Sequence, residues 1–194
     1  MHGLMLRSLQ GYVKDTFGIA SWAAIIRYAA VPVDTFEPML RYDPALVDRV
    51  ADAAARQLDR PPEALWDDLG TYLVTNPSYE AVRRLLRFGG GTYTDFLHSL
   101  EDLPGRSRLA LPELQVPDLL LEELAPDRFT LTCRFHVRAA SLILLGMMRA
   151  MADDYGALIL IDLTSGGCED TISVHLLDVS HAQARPFALA NPGA

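Results

Sequence analysis

The chain has 194 residues, of which half are hydrophobic and 22% are charged, and its formal net charge is −8. This composition indicates one globular domain, large enough to bury a core and an internal cavity. The negative charge argues against binding to nucleic acid or to anionic membranes. Two cysteines, Cys133 and Cys168, are too few for a disulfide framework. They favour a reducing compartment, so we expect a cytoplasmic protein.

Neither a signal peptide nor a membrane span is expected. Arg7 and Lys14 interrupt the apolar runs near the start of the chain. The longest apolar stretch, residues 139–152, has about 14 residues, whereas a transmembrane helix needs about 20.

Helical periodicity dominates the first half of the chain. Apolar residues recur every three or four positions in five segments, which are residues 3–18, 20–31, 43–59, 61–74 and 78–88. Helix-ending residues such as Gly18 and Pro32 separate them, and Asp43-Pro44 is a typical helix start. A sixth helix is predicted from residue 95, where leucines recur at helical spacing. We expect it to end at Pro104, because proline does not continue a helix comfortably.

The second half changes to the pattern of an antiparallel sheet. Residues 118–138 contain two predicted strands that meet at a turn, Ala125-Pro126-Asp127. A long apolar helix follows and ends at Gly156, and two further strands, within 157–165 and 171–179, complete the pattern. The predicted fold class is therefore α+β, with a helical N-terminal lobe packed on a lobe of antiparallel sheet plus one long helix.

The predicted domain organisation is one domain over residues 1–180 and a tail over 181–194. Within the domain, residues 1–62 form the helical lobe and residues 63–180 form the α+β lobe. Enzyme motifs are missing from the sequence: it has no phosphate-binding loop, no Cys-x-x-Cys, no His-Glu-x-x-His and no Gly-x-Ser-x-Gly. We therefore do not expect an enzyme.

The order of these elements resembles the heme–nitric oxide/oxygen binding (H-NOX) family over roughly residues 1–180. The matching features are Gly3, Phe17-Gly18 followed by Trp22 and Ile25, the segments 41–59, 64–74 and 95–103, Pro112, Pro117 and Arg138. The resemblance implies a helical distal lobe and an α+β proximal lobe with a heme between them.

The position of the proximal iron ligand is altered relative to the family. In the family pattern a leucine-rich segment ends in the histidine that binds the heme iron. In this chain Phe96, Leu97 and Leu100 keep the register, and Pro104 stands at the histidine position. Proline has no lone pair to offer iron, so the usual iron–histidine bond cannot form.

Two other histidines are candidate metal ligands. His98 lies six residues before Pro104, which is about 240° of net rotation on a helix, so it faces away from the ligand position. His136 is the better candidate. A hydrogen-bonded surface role for His98 is the alternative interpretation.

The resemblance also implies an anion clamp for the heme propionates. The family's Tyr-x-Ser-x-Arg pattern corresponds here to Arg134, His136 and Arg138, which alternate along a predicted strand and so share one face. Guanidinium groups bind carboxylates with two charge-assisted bonds. The alternative is an exposed strand face paired with acids such as Glu122 and Glu123.

The predicted distal wall is apolar. The family's oxygen binders place a tyrosine on the long helix, at the position of Ile143 in this chain. Leu4, Met5, Leu9 and Leu73 would line the same pocket, and none of these side chains can donate a hydrogen bond to bound O₂. Such a wall favours NO over O₂ as a gas ligand. Alternatively, these residues are ordinary core.

Three functions remain open from the sequence. The first is a heme-based NO sensor with unusual iron coordination, acting on a separate signalling protein such as a kinase or a cyclic-nucleotide enzyme. The second is an H-NOX-like protein that has lost heme and uses its cavity for another carboxylated apolar ligand, or for none. The third is a protein-interaction module. The residues predicted to contact a cofactor are Leu4, Met5, Pro104, Pro117, Arg134, His136, Arg138 and Ile143.

Overall fold

The computed structural model describes residues 3–110, 116–135, 137–167 and 169–178. The first part of the chain contains α1 (Gly3–Phe17), α2 (Ile19–Tyr28), α3 (Pro44–Gln57), α4 (Pro62–Thr75), a 3₁₀ turn (Pro77–Tyr79), α5 (Glu80–Arg87), α6 (Tyr93–His98) and α7 (Leu103–Ala110). The second part contains β1 (Asp118–Ala125), β2 (Arg128–Arg134), α8 (Arg138–Tyr155), β3 (Leu158–Ser165) and β4 (Asp170–Asp178). None of the helices in these ranges has the length and hydropathy needed to cross a membrane.

Local sequence signals set several helix ends. Asp43 caps α3, because its side chain accepts a hydrogen bond from the backbone N–H of Ala45 at 3.0 Å and Pro44 follows in the first turn. Gly18 separates α1 from α2 with φ of 89°, a conformation that favours glycine. Thr92 and Asp95 form a reciprocal capping box at the start of α6.

The strands form one antiparallel sheet in the order β1-β2-β4-β3. Phe129, Leu131 and Cys133 of β2 alternate toward the interior, as do Ile172 and Val174 of β4, and α8 packs against this apolar face. The predicted α+β fold class is thereby confirmed.

Two clusters of buried side chains form the core. The first joins α1, α2 and α3 to Leu65, Leu69 and Leu73 of α4 and to the start of α8. The second joins the sheet, α6 and most of α8, and it begins in α4 at Val74. Since α4 contributes to both clusters, the two lobes meet along this helix. The predicted boundary at residue 62 stays a prediction.

The expectation that Pro104 ends a helix is wrong. The predicted sixth helix is divided into α6, which ends at His98, and α7, which begins at Leu103. Pro104 is the second residue of α7, within the first turn. Backbone N–H groups in the first turn have no acceptor inside the helix, so the N–H that proline lacks costs no helical hydrogen bond. The proline therefore starts a helix, and the chain turns between residues 99 and 102.

Candidate ligand-binding cavity

A cavity of about 290 Å³ lies between the two core clusters. Its walls come from α1, α4, the 3₁₀ turn, α5, α7, β1 and α8, together with the chain before β1 and after β2. Because these elements belong to both halves of the fold, the cavity forms only when the helical part packs on the sheet part. Its volume is at the lower end of the range for small-molecule sites.

Most of the predicted contact residues line this cavity. The lining includes Leu4, Met5, Pro104, Pro117 and Ile143. Leu73 also lines it, whereas Leu9 is fully buried in the first core cluster. That these residues hold a cofactor stays a prediction.

The lining is almost entirely apolar, and its described residues include no charged side chain. Polar atoms come from Ser8, Ser107 and Tyr79. The ring of Tyr79 packs edge-on against Tyr72 with their centroids 5.4 Å apart, and its hydroxyl lies 2.8 Å from the place that a Cβ atom on Gly11 would occupy. Among the described lining residues, Ser8 and Ser107 are therefore the ones whose hydroxyls can serve a molecule in the cavity.

A tyrosine and a carboxylate support the wall formed by Tyr79. The hydroxyl of Tyr72 donates a hydrogen bond to Asp15 Oδ2 at 2.6 Å. Burial, followed by this bond to Asp15, raises the pKa of Tyr72 well above its ordinary value. Tyr72 thus remains a proton donor and ties α4 to α1 behind the cavity.

The two described histidines both lie outside the cavity lining. The ring of His98 is half exposed, with its Nε2 3.3 Å from Glu123 Oε2, and it meets the ring of Phe129 edge-on. His175 Nε2 is 3.1 Å from Asp127 Oδ2 on the outside of the sheet. His98 therefore pairs with a carboxylate at the surface, and His136 lies outside the described residues.

Of the three residues in the predicted anion clamp, the structure describes the side chain of Arg134. Arg134 is exposed, and its Nε donates a hydrogen bond to Glu169 Oε1 at 2.8 Å. The cavity is lined instead by Phe135 and Val137, which alternate with Arg134 along the chain. The side chain of Arg138, like the whole of His136, lies outside what the structure describes. The clamp stays a prediction, and the contact of Arg134 with an acid matches the alternative interpretation, with Glu169 in place of Glu122 or Glu123.

Sequence reasoning missed several lining residues. Ser107 stands one helical turn after Pro104 and shares its face of α7, but the expectation of a helix end at Pro104 hid this periodicity. Val82 and Leu85 line the cavity from α5. Their spacing of three residues predicts that they share one buried face of the helix. The spacing does not show that this face borders a cavity.

An α+β domain with an apolar cavity between a helical part and a sheet part has the architecture in which small-molecule sites are found. A family model described as Haem-NO-binding matches residues 2–162. The chain therefore belongs to the H-NOX family, whose domains are sensors and are not catalytic on their own.

Curated relatives and solved structures agree with this assignment. Soluble guanylate cyclase gcy-31 of Caenorhabditis elegans is 22% identical over 93% of this chain, and soluble guanylate cyclase 89Db of Drosophila melanogaster is 21% identical over 80%. The chain spans about a quarter of the length of these relatives.

Two H-NOX structures have the same fold. That of the unliganded Fe(II) H-NOX protein from K. algicida has a TM-score of 0.76 and 16% identity, over 92% of this chain and 97% of the other. That of the S. oneidensis H-NOX protein in the Fe(II)NO state has a TM-score of 0.75 and 16% identity, over 92% and 100%. At this identity the structures establish the fold alone.

The described residues of the cavity include no histidine, so this part of the lining does not fit a histidine-ligated heme. Pro104, which the sequence register predicts at the family's ligand position, lines the cavity and has no lone pair to donate. Neither described histidine reaches the cavity, and the described part of the chain brings no three His, Cys, Asp or Glu side chains together. What the cavity does fit is an apolar molecule.

Proposed function

We propose that this chain is an H-NOX-type binding module that receives an apolar ligand in its cavity without an iron–histidine bond. The observation that carries the proposal is the place of Pro104, inside the lining and on the first turn of α7. An apolar wall gains free energy when it is covered, at roughly 25 cal/mol per Å² of apolar surface removed from water. The lining of Leu4, Met5 and Ile143 is of this kind.

The proposed output is a signal to a separate protein, such as a kinase or a cyclic-nucleotide enzyme. The support is that the relatives are soluble guanylate cyclases and match this chain over about a quarter of their length. The proposed location is the cytoplasm. The predicted preference for NO over O₂ concerns a heme-bound form, and without the histidine ligand we propose no gas-sensing step.

The test is a hemin titration of the purified chain and of two variants, Pro104→His and Pro104→Ala. Placing an imidazole on the cavity side of α7 should strengthen hemin binding at least tenfold and give a five-coordinate ferrous spectrum, because a metal–ligand bond is added to burial. The alanine variant is the matched control, since it removes the proline ring without adding a ligand. Wild type and Pro104→Ala should lack a histidine-ligated spectrum.

One result would overturn the proposal. This is a wild-type chain that shows a stable histidine-ligated heme spectrum, and loss of that spectrum in His98→Ala or in His136→Ala would identify the ligand. Such a spectrum would mean that another histidine reaches the iron and that Pro104 does not mark the ligand position.

A further inference from the structure

Two buried serines, Ser8 and Ser107, line the cavity. Ser8 lies on α1 and Ser107 on α7, and the two residues are only 5% and 4% exposed. Among the described residues, no hydrogen bond joins either hydroxyl to another group. Both side chains are therefore polar groups, nine-tenths buried, that border an apolar space.

Helical serines and threonines usually satisfy the hydroxyl on the preceding turn of the backbone. This chain does so elsewhere: Ser21 Oγ donates to the carbonyl of Phe17 at 2.8 Å, and Thr75 Oγ1 donates to that of Thr71 at 2.9 Å. Ser8 and Ser107 do not form this bond, and neither does Ser141 of α8, which lies outside the cavity lining. Since a hydroxyl that borders an apolar space without a partner costs free energy, a partner supplied by a ligand would be stabilising at these two positions.

The charge of the described part of the lining favours an uncharged ligand. Burying a carboxylate or a phosphate is costly unless a cation or several donors receive it. The described lining offers no cation, and Arg134 is paired with Glu169 outside the cavity. A hydroxyl or a carbonyl group needs only one or two hydrogen bonds, which serines can provide.

We propose that the cavity binds a neutral, mainly apolar molecule with one hydroxyl or carbonyl group, which forms a hydrogen bond with Ser107, with Ser8 or with both. This inference rests on the proposed function and adds the chemical class of the ligand. It replaces the carboxylated ligand among the sequence-based hypotheses with an uncharged one. The thioethers of Met5 and Met147, which also line the cavity, can adapt to the shape of an alkyl chain.

The test compares three probes of equal chain length, decane, decanol and decanoate, on the full chain. Each probe displaces the fluorescent apolar dye N-phenylnaphthylamine, and the midpoint of displacement gives its affinity. Decanol should bind more tightly than decane because of the added hydrogen bond, and decanoate should bind most weakly at neutral pH. Ser8→Ala, Ser107→Ala or both should weaken decanol by about two- to tenfold and leave decane unchanged.

Ser141→Ala is the matched control. Ser141 is a serine of α8 that is 2% exposed and does not line the cavity, so its removal should leave all three affinities unchanged. Thermal unfolding of each variant shows that the fold is retained.

The outcomes separate the inference from the proposed function. Equal binding of decane and decanol, or decanol binding that neither serine variant weakens, overturns the inference while the apolar cavity stands. Decanoate as the tightest probe also overturns it and indicates a cationic clamp. A chain that binds no apolar probe but binds hemin with a histidine-ligated spectrum overturns the proposed function as well.

Discussion

Gly70 of α4 and Gly146 of α8 form a reciprocal contact where the two helices cross. A Cβ atom on Gly70 would overlap the carbonyl of Ile143, and a Cβ atom on Gly146 would overlap the carbonyl of Asp67. Each glycine therefore contacts the backbone of the other helix. The contact lies about one helical turn before the glycine of that other helix. This crossing positions Ile143 in the cavity wall, because the helix that carries it cannot move outward without separating from α4.

Gly146→Ala should destabilise the protein by about 1–3 kcal/mol, because the new methyl group must push two backbones apart. The intrinsic preference of helices for alanine over glycine, about 1 kcal/mol, opposes this loss and does not offset a clash with a carbonyl. Chemical unfolding monitored by circular dichroism measures the difference.

Gly105→Ala is the control for that prediction. Gly105 is also helical, within α7, but a Cβ atom there would have no neighbour within 4 Å. We expect no loss of stability and a gain of up to about 1 kcal/mol. A Gly146→Ala variant as stable as Gly105→Ala would contradict the close crossing.

Asp154→Ala should destabilise the protein by about 3–5 kcal/mol. Asp154 is buried at the end of α8, and its carboxylate accepts hydrogen bonds from Arg83 and from Arg87, the latter at 2.7 Å. The guanidinium of Arg87 is also buried and lies 4.4 Å from the ring centre of Tyr155. Removing the carboxylate would leave this cation without its partner, and thermal unfolding should show the loss.

Arg108→Ala tests the same chemistry at the surface. Arg108 and Asp118 are exposed, with 3.8 Å between their charged atoms. Exposed pairs contribute at most about 1 kcal/mol, so we expect little change. Equal effects of Asp154→Ala and Arg108→Ala would mean that the buried cluster is open to solvent.

The sequence predicted the helices and strands well because burial leaves a period in the chain. The alternation of Phe129, Leu131 and Cys133 is visible without a structure, and so is the helix cap at Asp43. The prediction at Pro104 is wrong because a proline after a leucine-rich helix resembles a stop. Whether it stops one helix or starts the next depends on the turn at residues 99–102, which has no period of its own.

The candidate site was predicted from the sequence only in its apolar part. Leu4, Met5 and Ile143 are apolar wherever they pack, and the family register placed them near the cavity. Alternation along a strand shows that two residues share a face but not which face that is. Arg134 accordingly pairs with Glu169, and Phe135 lines the cavity.

Raising the pH from 10 to 12 should lower the free energy of unfolding, in part through Tyr12. Burial and the neighbouring Asp68 raise the pKa of Tyr12 from 10.0 to about 12. The folded state therefore holds this proton more tightly than the unfolded state. The contribution of Tyr12 to the free energy of unfolding is complete below pH 10 and is lost as the pH rises through about 12.

Tyr12→Phe should flatten this part of the pH dependence, because the variant has no proton to lose at that site. At neutral pH it should cost about 1 kcal/mol, since the hydroxyl donates a hydrogen bond to Asp68 Oδ2 at 3.3 Å. Denaturant unfolding at neutral pH and at about pH 11 gives both quantities. An unchanged slope in the variant would show that Tyr12 does not contribute to it.

Filling the cavity should stabilise the protein and block ligand binding at the same time. Ala140 lines the cavity from α8, so Ala140→Leu adds apolar atoms to open space and should gain about 1–2 kcal/mol. Ala150 of the same helix is 4% exposed within the second core cluster, and Ala150→Leu should instead lose about 1–3 kcal/mol through overpacking. Thermal unfolding gives the two stabilities, and titration with N-phenylnaphthylamine gives the affinities. Dye binding should weaken at least tenfold in Ala140→Leu alone. If Ala140→Leu destabilises the chain as much as Ala150→Leu does, the space beside Ala140 is closed in solution, and a ligand must open it before it can bind.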